Sequence, residues 1–512
     1  MLNKKTETCY QVVVLIGLFL LCLPKASFGQ SSLKYGKDIP KEPSVRYGVQ
    51  AEESAKVRYG VDIRMEDIRI VQPGEAPPEE VISDFKFDVR AFVKLGWTYR
   101  NLKDDSVINP DNLLNLGEST GLIDPGLQFK ATYLKDYVFN TDIEYQLTFG
   151  DGDNDATTHF IVNDFYLDFY LADFAYLKAG KKRESWSVGW TFTPVDQLLE
   201  IPKNQIDPSD SREGRYLVKM EIPIKSASFG FIYFPDVAYE LDENGNIKNE
   251  TGKAGIPDEW FNDDPGSNYR VDEGGYGVRS SLLAWETDVA LMYYRTDKIP
   301  DLMKDYFGLS LTRYWLDLGA YLEIIGHKGK DLSTVRKNIK EGTLPGQRYA
   351  IVSDEDDDDF YANFAIGVNY SFSDDSKVAI EYYRNSEGYD SEEFDLFYEF
   401  LKHDSDLYLA THDRNVGNKI LRANQILGDR VRQNFLSFTF DRPNTFDDFF
   451  PHIGVIVCLD DGSALINGAL EYTVRDDTSI KLDTRWYLGD DDTEFGLKPS
   501  NFEGILKLIY YF

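Results

Sequence analysis

Cysteine is close to absent from this chain. Three occur in 512 residues, namely Cys9, Cys22 and Cys458. The first two lie in an N-terminal stretch that reads as removable, which leaves Cys458 alone and excludes an internal disulfide in the mature chain. Long apolar runs are as scarce. The one continuous run, Val12 to Leu23, falls short of the roughly 20 residues that a membrane helix requires. A polytopic helical membrane protein is therefore excluded. Histidine numbers five, and His159, His327, His403, His412 and His452 are scattered without zinc-ligand spacing. Basic residues are outnumbered 87 to 55 by acidic ones, and a net charge of -32 excludes nucleic acid as a partner. No Gly-x-Ser-x-Gly elbow is present. Asp151-Gly152-Asp153-Asn154-Asp155 opens like a calcium loop, but Ala156 stands where a Gly is needed and Val162 where a late Glu is needed. No enzyme activity, cofactor or metal is expected.

Aromatic residues are plentiful instead: 33 Tyr, 33 Phe and 7 Trp make 14% of the chain. Their placement is periodic. From Asp84 to Arg100, Phe85, Phe87, Val89, Ala91, Val93, Leu95, Trp97 and Tyr99 take every odd position, while Lys86, Asp88, Arg90 and Lys94 fill even ones. One face of such a strand suits lipid and the other suits water. The last residues repeat the pattern, with Phe502, Gly504, Leu506, Leu508, Tyr510 and a final Phe512. A closing strand that ends on an aromatic suits recognition by barrel-assembly machinery. The fold class predicted is all-β: a transmembrane, antiparallel, up-and-down β-barrel closed by its N- and C-terminal strands.

Three segments follow. Residues 1–29 read as a secretory signal peptide, with Lys4 and Lys5 before the apolar run and Ser27 and Gly29 before Gln30. Residues 30–83 carry a twelve-residue repeat around Tyr35-Gly36, Tyr47-Gly48 and Tyr59-Gly60, then a Pro- and Glu-rich stretch. Three short copies cannot bury a core, so a flexible periplasmic segment is expected there. Residues 84–512 divide into about eighteen strands joined by alternately short and long connections. Two places break that regularity: Arg442 to Pro451 is long for a turn and Asp460 to Ser463 is short for an outer loop. The predicted count is therefore sixteen to eighteen.

Strand positions on the water-facing side carry both signs of charge, and the acidic excess sits in long loops such as Asp354 to Asp359. The most unusual stretch is Gly180 to Ser211, a basic strand end followed by a loop bearing Trp, Pro and Asp. Folded inward, it would narrow the lumen. Lys178, Lys182 and Arg183 on one side, and Glu184, Asp196 and Asp207 in the loop, are the candidate constriction residues. Arg90, Lys94 and Lys130 are candidates for a basic ladder on the wall.

These residues also carry a resemblance. Gly180-Lys181-Lys182-Arg183, Trp186, Gly189, Pro194-Val195-Asp196, Asp207-Pro208 and Arg212-Glu213-Gly214, together with Glu381-Tyr382-Tyr383-Arg384-Asn385-Ser386-Glu387-Gly388-Tyr389, resemble porin-type barrels of the alginate-export-like superfamily. Trp186-Ser187 replaces the Trp-Gly of the commoner pattern. The resemblance implies a passive channel in the outer membrane, with anionic polysaccharide export as the best-known case. A polyanion needs a strongly basic lumen, whereas balanced charge suits small polar or zwitterionic solutes. The expected function is thus a porin passing small polar solutes or oligosaccharides, and the alternative is a non-conducting barrel that anchors or secretes through partners. Outer-membrane lipid and lipopolysaccharide, the assembly machinery and a small polar solute are the expected partners. A homo-oligomer stays open.

Overall fold

The protein is described by a computed structural model covering residues 85–512, apart from 135, 151–156, 172–173, 197–200, 203–211, 214, 238–268, 300–301, 339–343, 353–357, 429 and 443–447. Segments 1–29 and 30–83 lie outside the described residues, as does Asp207.

Eighteen strands form one closed sheet. In chain order they are β1 Phe85–Leu102, β2 Ser119–Tyr133, β3 Tyr137–Gly150, β4 Thr157–Leu171, β5 Ala175–Lys182, β6 Arg215–Ile224, β7 Ala227–Val237, β8 Tyr269–Ala284 and β9 Thr287–Ile299. The second half comprises β10 Leu302–Trp315, β11 Leu318–Lys328, β12 Phe360–Ser371, β13 Lys377–Arg384, β14 Asn434–Asp441, β15 Phe449–Cys458, β16 Ala464–Arg475, β17 Thr478–Leu488 and β18 Ser500–Tyr511. Each pairs antiparallel with the next, and β18 closes the ring on β1, with Phe92 opposite Tyr511 and Trp97 opposite Leu506. Both irregular places are resolved in favour of eighteen. Strand β15 begins at Phe449, earlier than its apolar pattern suggests, and β15 to β16 is a tight turn in which the Gly462 amide donates to the Cys458 carbonyl.

The alternation read from the sequence becomes two faces. Phe85, Phe87, Val89, Trp97 and Tyr99 stay exposed on the outside. At the short-turn rim the outer aromatics form a girdle: Phe85 stacks on Tyr133 at 4.4 Å, Tyr133 meets Tyr137 at 6.0 Å, and Tyr137 stacks on Phe169 at 6.0 Å. Such rings suit the boundary between hydrocarbon and water. The turns are tight enough to force positive φ on side-chain-bearing residues. Trp285 (φ 51°) and Glu286 (φ 60°) make up the entire β8–β9 connection, a job usually given to Asn-Gly.

The long-loop rim holds the one part of the fold that strand periodicity misses. Between β13 and β14 lie two helices, α1 (Ser391–Thr411) and α2 (Arg414–Gly428). Helix α1 starts at a reciprocal cap: the Asp390 side chain accepts from the Glu393 amide (2.9 Å), and the Glu393 carboxylate accepts from the Asp390 amide (3.1 Å). Phe394, Phe397, Phe400 and Leu401, at helical spacing, then pack against Ile420, Ala423 and Leu427 of α2. The same core takes Ile108 from the β1–β2 loop, Val335 and Tyr349 from a short hairpin between β11 and β12, and Leu497 from the β17–β18 loop. We call this unit the cap. Lys419 fastens it from within, donating to the Tyr349 carbonyl (2.9 Å) beside Asp404 (3.4 Å). Where the chain leaves α2, Glu494 of the β17–β18 loop accepts from the amides of Arg432 (3.1 Å) and Val431 (3.3 Å).

Two outcomes are expected. Leu506 sits on the outer face between Trp97 and Leu482, so Leu506→Arg should lower stability in lipid by about 2–4 kcal/mol, read by refolding titration in vesicles. Burial pushes the Glu494 carboxyl from its ordinary 4.5 up to about 7, with Asp461 adding to the rise and Lys498 opposing it. The folded cap therefore holds this proton more tightly than the unfolded chain does. Its stability should be full below 4.5, fall as pH rises toward 7 and level off above. Glu494→Gln should remove that slope, as measured by hydrogen exchange of α1 and α2.

Candidate functional site: the lumen and its inward loop

The chain leaves β5 and turns into the barrel. Near the end of β5, Gly180 has a φ of 134° and passes so close to β4 that a Cβ would sit 2.1 Å from the Phe165 carbonyl oxygen. Residues 183–196 then lie against the inner wall. An inward loop carries backbone donors away from water, and each must find an acceptor. Three carboxylates take six of these amides. Asp196 closes the loop on itself, accepting from the amides of Trp186 (2.7 Å) and Ser187 (2.9 Å) and from the Ser185 hydroxyl (2.7 Å). Glu323 of β11 accepts from the amides of Val188 and Val195, both at 2.8 Å, and from the Ser187 hydroxyl at 2.5 Å. Glu381 of β13 accepts from the amides of Trp190 (2.8 Å) and Thr191 (2.6 Å), and from Ser437 (3.3 Å).

Apolar side chains complete the attachment. Trp186 and Val195 join Leu217, Ile232, Met292, Tyr294 and Ile325 in a buried cluster on the β6–β11 wall. Phe192 stacks on Tyr383 (4.9 Å, 12°) and packs with Phe435, Ile456 and Phe495 on the β12–β15 side. Full burial of such a side chain contributes about 1.5–3 kcal/mol. The loop is thus laid along one arc of the wall, from β6 round to β15.

The remaining arc, β16 through β18 and β1 through β6, presents charge. Lys178 of β5 and Lys219 of β6 are directly opposite in register, a like-charge pairing that is unfavourable alone. Glu184, the second residue of the loop, resolves it: Lys219 donates to its carboxylate, and Lys178 lies 3.8 Å away, with Asp168 at 3.9 Å on its other side. Lys182 is buried with its ammonium 4.5 Å from the Tyr166 ring centroid, whereas Arg183 is exposed. Farther round, Lys94 bridges Glu144 (2.8 Å) and Asp124 (3.4 Å). Lys507 and Lys481 approach Asp483 at 3.7 and 3.4 Å. Arg90 and Lys130 line a wall recess of about 220 Å³ together with Asp88, Asp142 and Asp164.

The basic ladder expected from Arg90, Lys94 and Lys130 is therefore interleaved with acid, since register sets Asp88 opposite Lys130 and Asp124 opposite Lys94. Asp196, expected at the constriction, is 2% exposed and bonded within the loop. Glu323 and Glu381 sit on water-facing strand positions, where alternation predicts lumen charge but not that they hold the loop. A signal was present: Glu323 is the one acid in the otherwise apolar strand Leu318–Lys328. Near the long-loop rim, His327, Asp331 and Glu387 come together. A lysine already serves this group as the cation, for Lys304 donates to Asp331 (2.7 Å) and to the Gly329 carbonyl (3.0 Å).

No family model matches the chain, and no curated protein matches it in sequence. Solved barrels do. OccAB1 of Acinetobacter baumannii is 9% identical with a TM-score of 0.46, covering 83% of this chain and 96% of that one. OccK5 (OpdH) of Pseudomonas aeruginosa is 9% identical with a TM-score of 0.43, over 83% and 97%. OmpF of Salmonella typhi, in complex with daunomycin, is 9% identical with a TM-score of 0.40, over 84% and 98%.

Removing one wall acceptor tests the attachment. In Glu381→Ala the amides of Trp190 and Thr191 lose their partner, at a cost of about 1–3 kcal/mol for each group left buried and unpaired. Hydrogen exchange across residues 186–196 should accelerate by roughly tenfold or more, while exchange in β1 to β4 stays unchanged.

Proposed function

We propose that this chain is an outer-membrane channel of the porin type, passing small polar solutes passively down their gradients. The observation that carries this reading is the division of the lumen. One arc is covered by a loop held to the wall, and the other presents alternating charges. A barrel of sixteen to eighteen strands leaves an aqueous channel unless something fills it, and here the loop narrows it without removing its charged side. Paired charges of both signs orient water and attract polar or zwitterionic solutes more than a polyanion, so the polysaccharide export suggested by the alginate-export-like motifs is not the reading adopted. Short turns and both ends of the barrel share one rim, which in single-chain outer-membrane barrels is the periplasmic one. On this reading the cap would lie outside and Phe512 would be offered to the assembly machinery, and a periplasmic 30–83 segment is proposed with them. Lipopolysaccharide and lipid would surround the apolar belt. No catalytic role is assigned. Ser310, for instance, lies opposite Glu323 rather than a histidine.

Single-channel recording in a planar bilayer under a salt gradient tests the proposal. Discrete conductance steps are expected. Replacing two wall cations in Lys178→Gln/Lys219→Gln should move the reversal potential toward cation selectivity. A folded barrel that stays silent would favour the anchoring alternative instead.

A further inference from the structure

The four loops that build the cap follow one another round half of the rim, from β11–β12 through β13–β14 and β17–β18 to β1–β2. The β1–β2 loop supplies Ile108, and the β11–β12 loop supplies Val335 and Tyr349. Those loops leave the ring eight strands apart by the shorter way round, and in an eighteen-stranded ring the greatest separation available is nine. With strands about 4.8 Å apart and tilted by roughly 40°, the ring is about 35 Å wide. Yet Ile108 and Val335 are buried in one core. The cap therefore joins rim points that lie nearly a diameter apart. Helix α1 has the length for this, since 21 residues rise about 31 Å.

The bridge is fastened at opposite edges. On the β11–β13 side, Glu387 accepts from the Asp331 amide (2.6 Å) and from Asn363 (3.1 Å), with His327 Nε2 at 2.9 Å. On the β17–β1 side, Lys103 donates to the Gly496 carbonyl and reaches Asp491 (3.2 Å), and Lys498 donates to the Leu427 carbonyl at the end of α2 (2.9 Å). The connection that leaves α2 touches the inward loop: the Arg430 guanidinium lies 5.1 Å from the Phe192 ring centroid. Swinging the cap away would expose its apolar core and strand these polar partners. It is a fixed roof.

We propose that the cap fixes the class of solute, admitting small monomeric solutes that can pass around it and excluding extended polymers such as oligosaccharide chains. This rests on the channel reading above. A chain-like solute needs a continuous axial path, and among the described residues a roof joining opposite parts of the rim, with a wall-bound loop beneath it, obstructs one. A small molecule can turn beside both.

The test is solute uptake by vesicles holding the mature full-length protein, with neutral glucose oligomers of increasing length, beside a variant in which residues 391–428 are replaced by a short Gly-Ser link. For the wild type, a hexasaccharide should enter at least about tenfold more slowly than glucose. In the variant that gap should close by severalfold and single-channel conductance should rise. Should the variant fail to fold, Glu387→Ala, which unfastens the β11–β13 edge of the cap, takes its place and should narrow the same gap. A wild type that admits hexasaccharide nearly as fast as glucose, or a folded variant with an unchanged gap, would overturn the inference and leave the channel reading standing. If glucose does not enter and no conductance appears in either form, the channel reading falls and this inference with it.

Discussion

A peptide amide or carbonyl inside hydrocarbon has no water to bond to, and the whole structure follows from meeting that demand. Strands can meet it only if the sheet has no free edge, so β18 must pair with β1. It does so over almost its full length, from Tyr511 opposite Phe92 to Phe502 opposite Asn101. Closure in turn requires each strand to show lipid one face and the lumen the other, which is why the period-two pattern is so pure in β1. The inward loop faces the same demand in another place. Its amides leave a strand and have no ladder to join, so carboxylates from β11 and β13 replace the missing carbonyls. Wall and loop are two answers to one constraint.

Charge on the inner face follows from register as much as from composition. Neighbouring strands bring side chains within contact, so each lysine meets whatever the next strand carries at that height. Lys94 meets Asp124 and Glu144, and Lys178 meets Lys219 until Glu184 enters from the loop. The acidic loop end thus belongs to the wall's electrostatics. A balanced surface results, in which isolated basic residues along the sequence are not an isolated basic track in space.

The strands were legible because alternation is a local property. Apolar period alone gave about eighteen strands and left sixteen open, and the closed ring decides for eighteen. The β2 start at Ser119, seven residues ahead of its clean pattern at Gly126, marks the limit, since Asp124-Pro125 interrupts alternation while β1 still offers a partner. The cap was missed for a related reason. Attention to period two passes over Phe394, Phe397, Phe400 and Leu401, whose period is that of a helix, although Asp390 and Glu393 announce a helix start. As for the loop, its composition marked it as special, but its carboxylate anchors lie 127 or more residues downstream of Asp196 and share no local pattern with it.

The sequence by itself determined that the chain closes into a barrel with an apolar outside and a charged inside, because side-chain direction alternates along any extended strand whatever its neighbours are. It also marked the 180–211 stretch as the candidate for narrowing that barrel. Only the tertiary structure decided which charges neutralise one another, where the loop is pinned, and that four distant loops share one core across the mouth. Those outcomes depend on which strands stand face to face across the ring. Ring closure sets that relation, and it joins residues separated by hundreds of positions.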